Sequence, residues 1–264
     1  MKIKTSIILL LIFSFLCSNA QNLHEAKIDS LFVNFKKESF YEKVYPAKQE
    51  LENYQKSIIP ELINLLKNED FIKLTNTFDL IYPGTTVYYG HGYYIPYDID
   101  WISVRSGWLL EDLTFQDFGY QSLEVNNETL MKLVKENYYK SYLKKGTYEL
   151  DWKRKTSVKK KAEIRKVLSK KAEKWWKKNQ KRWNKIAAIK EALQSNNENR
   201  LRNVFQYLRN GDSKCDNLTR ELYNNEIKPI IVALKKTNEY PEVQEQIELI
   251  LKESVSSKLL DKSK

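Results

Sequence analysis

The run Trp101-Ile102-Ser103-Val104-Arg105-Ser106-Gly107-Trp108-Leu109-Leu110-Glu111-Asp112-Leu113-Thr114 carries its large apolar residues three and four apart. Trp101, Val104, Trp108, Leu109 and Leu113 therefore fall on one wide side of a helix, whereas a half-buried strand would alternate at every second residue. The run closes into Phe115-Gln116-Asp117-Phe118-Gly119-Tyr120. The same period extends outward in both directions. Ile28, Leu31, Phe32 and Phe35 predict a helix over 23–37. Ile58, Ile59, Leu62, Ile63, Leu65 and Leu66 predict a second helical run over 47–67, with Pro60 as its start or a kink. Further on, a helix is expected from Glu128 to Lys145, capped by Asn126 or Asn127 and stopped by Gly146. The charged stretch from Val158 to Gln194 keeps Ile164, Val167, Leu168, Ala172, Trp175, Trp176, Trp183, Ile186 and Leu193 near one side. The last third gives helices at about 198–209, 217–236 and 241–254, jointed at Gly211 and Pro241.

Composition agrees with the periodicity. In 264 residues, 42% are hydrophobic and 12% aromatic, enough to fill a core and to exclude global disorder. Only 7 Gly and 6 Pro are present, too few for the many turns of barrels, sandwiches and Rossmann-type folds. The expected class is all-α. One segment breaks the pattern: residues 82–97 hold three of the seven Gly, two of the six Pro and six of the seventeen Tyr. Helix cannot persist through that composition, so a loop is expected, with a short hairpin whose arms are Val87 to Tyr89 and Tyr93 to Ile95. Tyr88, Tyr89, His91, Tyr93, Tyr94 and Tyr97 make this loop a candidate recognition surface, because Tyr offers large amphipathic area at low entropic cost. The opposing reading is that the tyrosines cover the open end of the first helical pair.

Residues 1–20 read as a secretory signal, with Lys2 and Lys4 before the apolar stretch Ile7 to Leu16 and a small-residue site at Ser18-Asn19-Ala20. Secretion, with a bacterial periplasm as the expected compartment, follows. An alternative is a lipoprotein anchored through Cys17, against which Phe15 and Leu16 stand where the lipid-transferring pathway wants small residues. No later segment has the apolar length of a membrane span. Removal of the signal leaves Cys215 alone, in the polar turn Gly211-Asp212-Ser213-Lys214-Cys215-Asp216, so an internal disulfide is not expected. Residues 21–264 read as one helical domain, comprising 21–120 with the Tyr-rich loop, a linking part 121–195 with a basic helix, and 196–264.

Two segments echo one another. Ile59-Pro60-Glu61-Leu62-Ile63-Asn64-Leu65-Leu66-Lys67 and Lys228-Pro229-Ile230-Ile231-Val232-Ala233-Leu234-Lys235-Lys236 share a proline, an apolar pair two residues later and an apolar residue three further on. Each precedes a second helix, opened by Asp100-Trp101-Ile102-Ser103-Val104-Arg105 in one case and Pro241-Glu242-Val243-Gln244 in the other. This arrangement resembles the HEAT repeat, the helical-pair unit of α-solenoids. The stretch from Trp101 to Gly119 also resembles secreted bacterial proteins of HEAT-like type, in which a Leu-Thr-x-Gln-x-Phe-Gly tail follows the inner helix. The resemblance implies HEAT-like helical hairpins forming a short irregular α-solenoid or a compact bundle, with one Tyr/Gly-rich inserted loop. It implies a surface for protein partners rather than a reaction.

The formal charge is +11. Between Lys153 and Lys190 lie 17 basic and 2 acidic residues, so all of the positive surplus belongs to one helical stretch. Lys170, Lys171, Lys174, Lys177, Lys178, Lys181 and Arg182 are its candidate contacts. Such concentration suits an acidic protein or an anionic envelope glycan or lipid head group, and secretion argues against nucleic acid. The plainer alternative is a solvated Lys face behind a packed aromatic one, since Trp175, Trp176 and Trp183 fall close to the apolar stripe.

Little in the sequence points to catalysis. There are two His, His24 and His91, and no spacing for a metal site, phosphate loop or nucleophile elbow. The best cluster would join His91 to Asp98, Asp100 and Arg105 in an unrecognised hydrolase. Against it, Asp98 or Asp100 is expected to cap the helix at Trp101, and Arg105 to pair with a carboxylate. The expected activity is therefore noncovalent binding without a cofactor or metal: an immunity or inhibitor protein that neutralises a toxin or enzyme, or an envelope-binding scaffold.

Overall fold

The structure, a computed structural model, describes residues 24–85, 87–89, 93–95, 97–121, 147–149, 158–211 and 218–253. The signal segment with Cys17, the helix expected over 128–145, His91 and Cys215 lie outside these residues. Helix α1 covers 24–35 and is followed by a π-helical turn, Phe40–Val44, that runs into α2 (Tyr45–Glu52). A 3₁₀ turn, Gln55–Ile58, leads to α3 (Ile59–Leu65). The single run expected over 47–67 is thus two helices. Gln55 sits at φ 45, which no α-helix accommodates, and Pro60 restarts the chain in the first turn of α3, where its missing N–H costs nothing.

Helix α4 (Ile102–Thr114) is the centre of the fold, and Phe115 in the left-handed conformation ends it. It is buried on nearly every side, Asp112 alone being partly exposed: Ser103, Arg105, Ser106, Glu111 and Thr114 are as inaccessible as Leu109 and Leu113. Helices α2 and α3 pack against it from one side. A Cβ at Gly107 would overlap the ring of Tyr120, so only glycine lets the loop after α4 fold back onto it.

Helix α5 (Val158–Asn179) packs on α3 and is followed by α6 (Lys185–Leu193). The helix expected to be continuous from 158 to 194 is therefore broken at 180–184. Asn179 and Arg182 bond to one another there, Trp183 turns its ring into the core, and the Asn184 side chain accepts from Ala187 N to cap α6. Helix α7 (Glu198–Asn210) is capped by Asn197 and closed by Gly211 at φ 62. A turn of helix, Arg220–Leu222, and a π turn, Tyr223–Ile227, lead into α8 (Lys228–Thr237), and Pro241 opens α9 (Pro241–Glu253). Helices α6 and α7 both reach α4, while α9 lies chiefly against α7. The chain is all-α in class.

The described strands are short. β1 (Leu80–Ile81) pairs in parallel with β3 (Tyr93–Tyr94), and β2 (Val87–Tyr89) pairs antiparallel with β4 (Thr147–Glu149). The two expected hairpin arms are therefore extended but do not pair with each other. Tyr93 lies opposite Leu80, and Ile95 N donates to Ile81 O at 2.8 Å, so the returning arm adds to the chain entering the loop. Long-range pairing of this kind leaves no trace in local periodicity.

Candidate functional site

Helix α5 divides cleanly between an inner and an outer side. Arg165, Ser169 and Ala172 are buried, and Leu168, Trp175 and Trp176 pack partly buried against the core. Trp175 meets Phe118 at 5.4 Å between ring centroids, Trp176 lies 5.9 Å from Trp175, and Trp183 follows 6.5 Å from Trp176. The three tryptophans are thus one aromatic seam holding α5 and its following turn to the body. Arg165 lays its guanidinium over Trp101 at 4.3 Å and pairs with Glu69 at 2.9 Å. Lys171 donates to the carbonyl of Asp117 at 2.9 Å.

On the outer side stand Lys166, Lys170, Lys174, Lys177, Lys178, Lys181 and Arg182, all exposed. Arg182 is tied to Asn179, whereas the six lysines have no hydrogen-bond or carboxylate partner among the described residues. Elsewhere four surface lysines find carboxylates, Lys27 with Glu50, Lys67 with Glu173, Lys190 with Glu226 and Lys235 with Glu248, while others such as Lys43, Lys56 and Lys228 stand singly among the described residues. The pair with Lys67 draws Glu173, an acidic residue within α5, toward α3. The sequence had marked five of these six; Lys166 was overlooked, although its spacing of four from Lys170 repeats to Lys174 and Lys178.

The second candidate region surrounds Asp100. Asp100 Oδ1 accepts from the Tyr82 hydroxyl at 2.7 Å and from Leu74 N at 2.9 Å, while Oδ2 takes Lys73 Nζ at 3.2 Å. Lys73 also donates to the Gly84 carbonyl, and Asp98 Oδ1 accepts from Asp100 N at 3.3 Å. A Cβ at Gly84 would collide with both carboxylates and the Tyr82 ring. Burial, with Asp100 alongside, pushes the Tyr82 hydroxyl well above its usual range, so it stays a donor. These bonds tie the base of the Tyr-rich loop to the segment before it.

Three expectations are corrected here. Neither Asp98 nor Asp100 caps α4: Asp100 is engaged with Tyr82, Leu74 and Lys73, and the N-cap position is taken by Trp101, whose side chain makes no capping bond. Arg105 does not meet a carboxylate in an ion pair: its Nε donates to Ile99 O at 3.0 Å and its Nη1 to the carbonyls of Phe35 and Lys37 at 2.8 and 3.0 Å. Burial lowers its pKa to about 10. Tyr97 is a core residue, 5% exposed and packed on Trp108, not a contact at the surface. The backbones of Tyr88, Tyr89, Tyr93 and Tyr94 lie in strands, and His91 is outside the described residues; of the expected cluster, Asp98 and Asp100 meet beside Tyr82 and Lys73, two residues that the sequence did not single out, while Arg105 turns to backbone carbonyls. Among the described residues no cluster of three or more His, Cys, Asp or Glu could hold a metal ion, and no helix is long and apolar enough to cross a membrane.

No protein-family model, curated protein or solved structure matches this chain.

Proposed function

We propose that the protein works by noncovalent binding, with the outer face of α5 as its working surface and an acidic macromolecule as its partner. The supporting observation is the concentration of six exposed lysines, without carboxylate partners among the described residues, along α5 and the turn that follows it. Like charges three and four apart on a helix repel by about 0.2–0.5 kcal/mol per pair, so the arrangement is unfavourable until an anion arrives. The tryptophan seam, packed against the core, gives that face a rigid backing. In this reading the helical pairs act as a HEAT-like frame, the chain is exported, and the binding event holds an envelope component or neutralises a toxin or enzyme.

The test is capture of partners on the immobilised protein, compared with a Lys174→Glu/Lys178→Glu variant and a Tyr88→Ala/Tyr93→Ala variant. The lysine variant is expected to lose the main partner at physiological salt. Retention of that partner by the lysine variant would remove α5 from the mechanism.

A further inference from the structure

The chemistry of the α5 face narrows the partner further, granted that this face binds at all. At 1.5 Å rise and about 100° per residue, Lys166, Lys170, Lys174, Lys177 and Lys178 form a slanting band about 18 Å long within an arc of about 120°. Lys181, in the turn that follows, continues it. Folded protein partners favour a different surface: their interfaces centre on buried aromatic and apolar anchors and are depleted in lysine. The described outer face of α5 offers one large exposed apolar side chain, Val167, and the three tryptophans that could anchor a protein are turned into the core seam. The same seam argues against single-stranded nucleic acid, whose bases need open aromatic faces on which to stack. Arginine is nearly missing from the row, and it is the residue suited to bidentate, planar recognition. Lysines act as point charges that read the density and spacing of anions.

We propose that this row is a binding site for an anionic polysaccharide, gripping carboxylate or sulfate groups repeated along an extended chain. The ligand lies along α5, one anion near each helical turn, and displaces small counterions as it binds.

The experiment measures the affinity of the purified full chain for heparin and for alginate, with neutral dextran, single-stranded DNA and an acidic globular protein as comparisons, across a range of salt. Wild type binds both anionic polysaccharides, and log K falls linearly with log salt, with a slope of roughly 4 to 6 for as many contacts. A Lys170→Glu/Lys174→Glu/Lys178→Glu variant loses at least about 30-fold in affinity at low salt. The matching Gln variant loses less and shows a slope shallower by about 3. Unchanged circular dichroism shows that these exposed substitutions leave the fold intact, and Lys235→Glu, remote from the row, alters affinity less than about twofold. A disaccharide too short to span the row binds far more weakly than the polymer. Equal binding of polysaccharide by wild type and the Glu variant, or none by wild type at low salt, overturns the proposal. If polysaccharides fail while the acidic protein is bound in a lysine-dependent way, this inference falls and the broader binding function stands. Lysine-dependent binding of DNA tighter than of either polysaccharide replaces the glycan with nucleic acid. No lysine dependence with any anion overturns both.

Discussion

Glu111 shows how one residue can organise the end of a helix. Its Oε1 accepts from the backbone N–H groups of Phe118, Gly119 and Tyr120 at 2.8, 2.8 and 3.0 Å, and its Oε2 from that of Gln121 at 3.2 Å. The loop after α4 is thereby wrapped around a carboxyl that is itself buried. Burial outweighs these donors and raises its pKa from 4.5 to about 8. Between those values the folded state holds a proton that the unfolded state releases, so this group's contribution to stability falls as pH rises from about 4.5 to about 8. Relative to Glu111→Gln, wild type should lose stability over that window by up to about 1.4 kcal/mol per pH unit. Urea unfolding of both proteins at pH 5 and pH 8 measures this, and parallel pH profiles would contradict it. Glu111→Ala leaves the four N–H groups without their acceptor and should cost about 3–5 kcal/mol.

At the scale of elements, α5 carries a conflict between stability and charge that can be measured apart from any ligand. Position 174 lies more than a turn from the helix end, so the macrodipole has little effect there. A Glu at 174 would face Lys170 and Lys178 four residues away on either side, replacing two repulsions by two attractions. Lys174→Glu should therefore raise thermal stability, by about 0.5–1 kcal/mol in low salt, while weakening polyanion binding. Calorimetry at low and high salt checks this; a stabilisation that persists unchanged in high salt would not be electrostatic. The division of α5 into a tryptophan side and a lysine side was legible in the sequence, because both follow the helical period. So were α4, the left-handed close of α7 at Gly211 and the start of α9 at Pro241, where residue type dictates backbone conformation. The break between α5 and α6 was not. Ile186 and Leu193 keep the period of the helix before them, and only the turning of Trp183 into the core and the cap by Asn184 redirect the chain. The pairing of β1 with β3 and the role of Asp100 were equally hidden, since each depends on contacts between segments that sequence spacing does not relate. Tyr97 was misassigned because composition alone cannot tell a loop tyrosine at the surface from one packed on Trp108.

Across the whole molecule, the segment that closes α4 joins the first half of the chain to the second. Lys185 Nζ, from the start of α6, donates to Leu113 O at 2.8 Å and lies 4.2 and 4.3 Å from the ring centroids of Phe115 and Tyr207. Arg200 from α7 donates to Phe115 O at 2.7 Å, and Asn197 and Asn199 reach the Asp117 carboxylate at 3.0 and 3.2 Å. The carbonyls that α4 leaves unsatisfied are thus met by the positive groups of Lys185 and Arg200 from α6 and α7, with favourable macrodipole alignment. Lys185 is buried and contacts both sides of this junction, so it should govern whether the halves unfold together. Lys185→Met keeps the aliphatic stem but removes the donor and the cation over two rings, at a cost of about 1–3 kcal/mol. Coupling weakens with it: unfolding followed by tryptophan fluorescence and by far-ultraviolet circular dichroism, coincident in wild type, should separate in the variant. Coincident transitions with a loss below about 0.5 kcal/mol would show that apolar packing between α4, α6 and α7 alone holds the two parts as one.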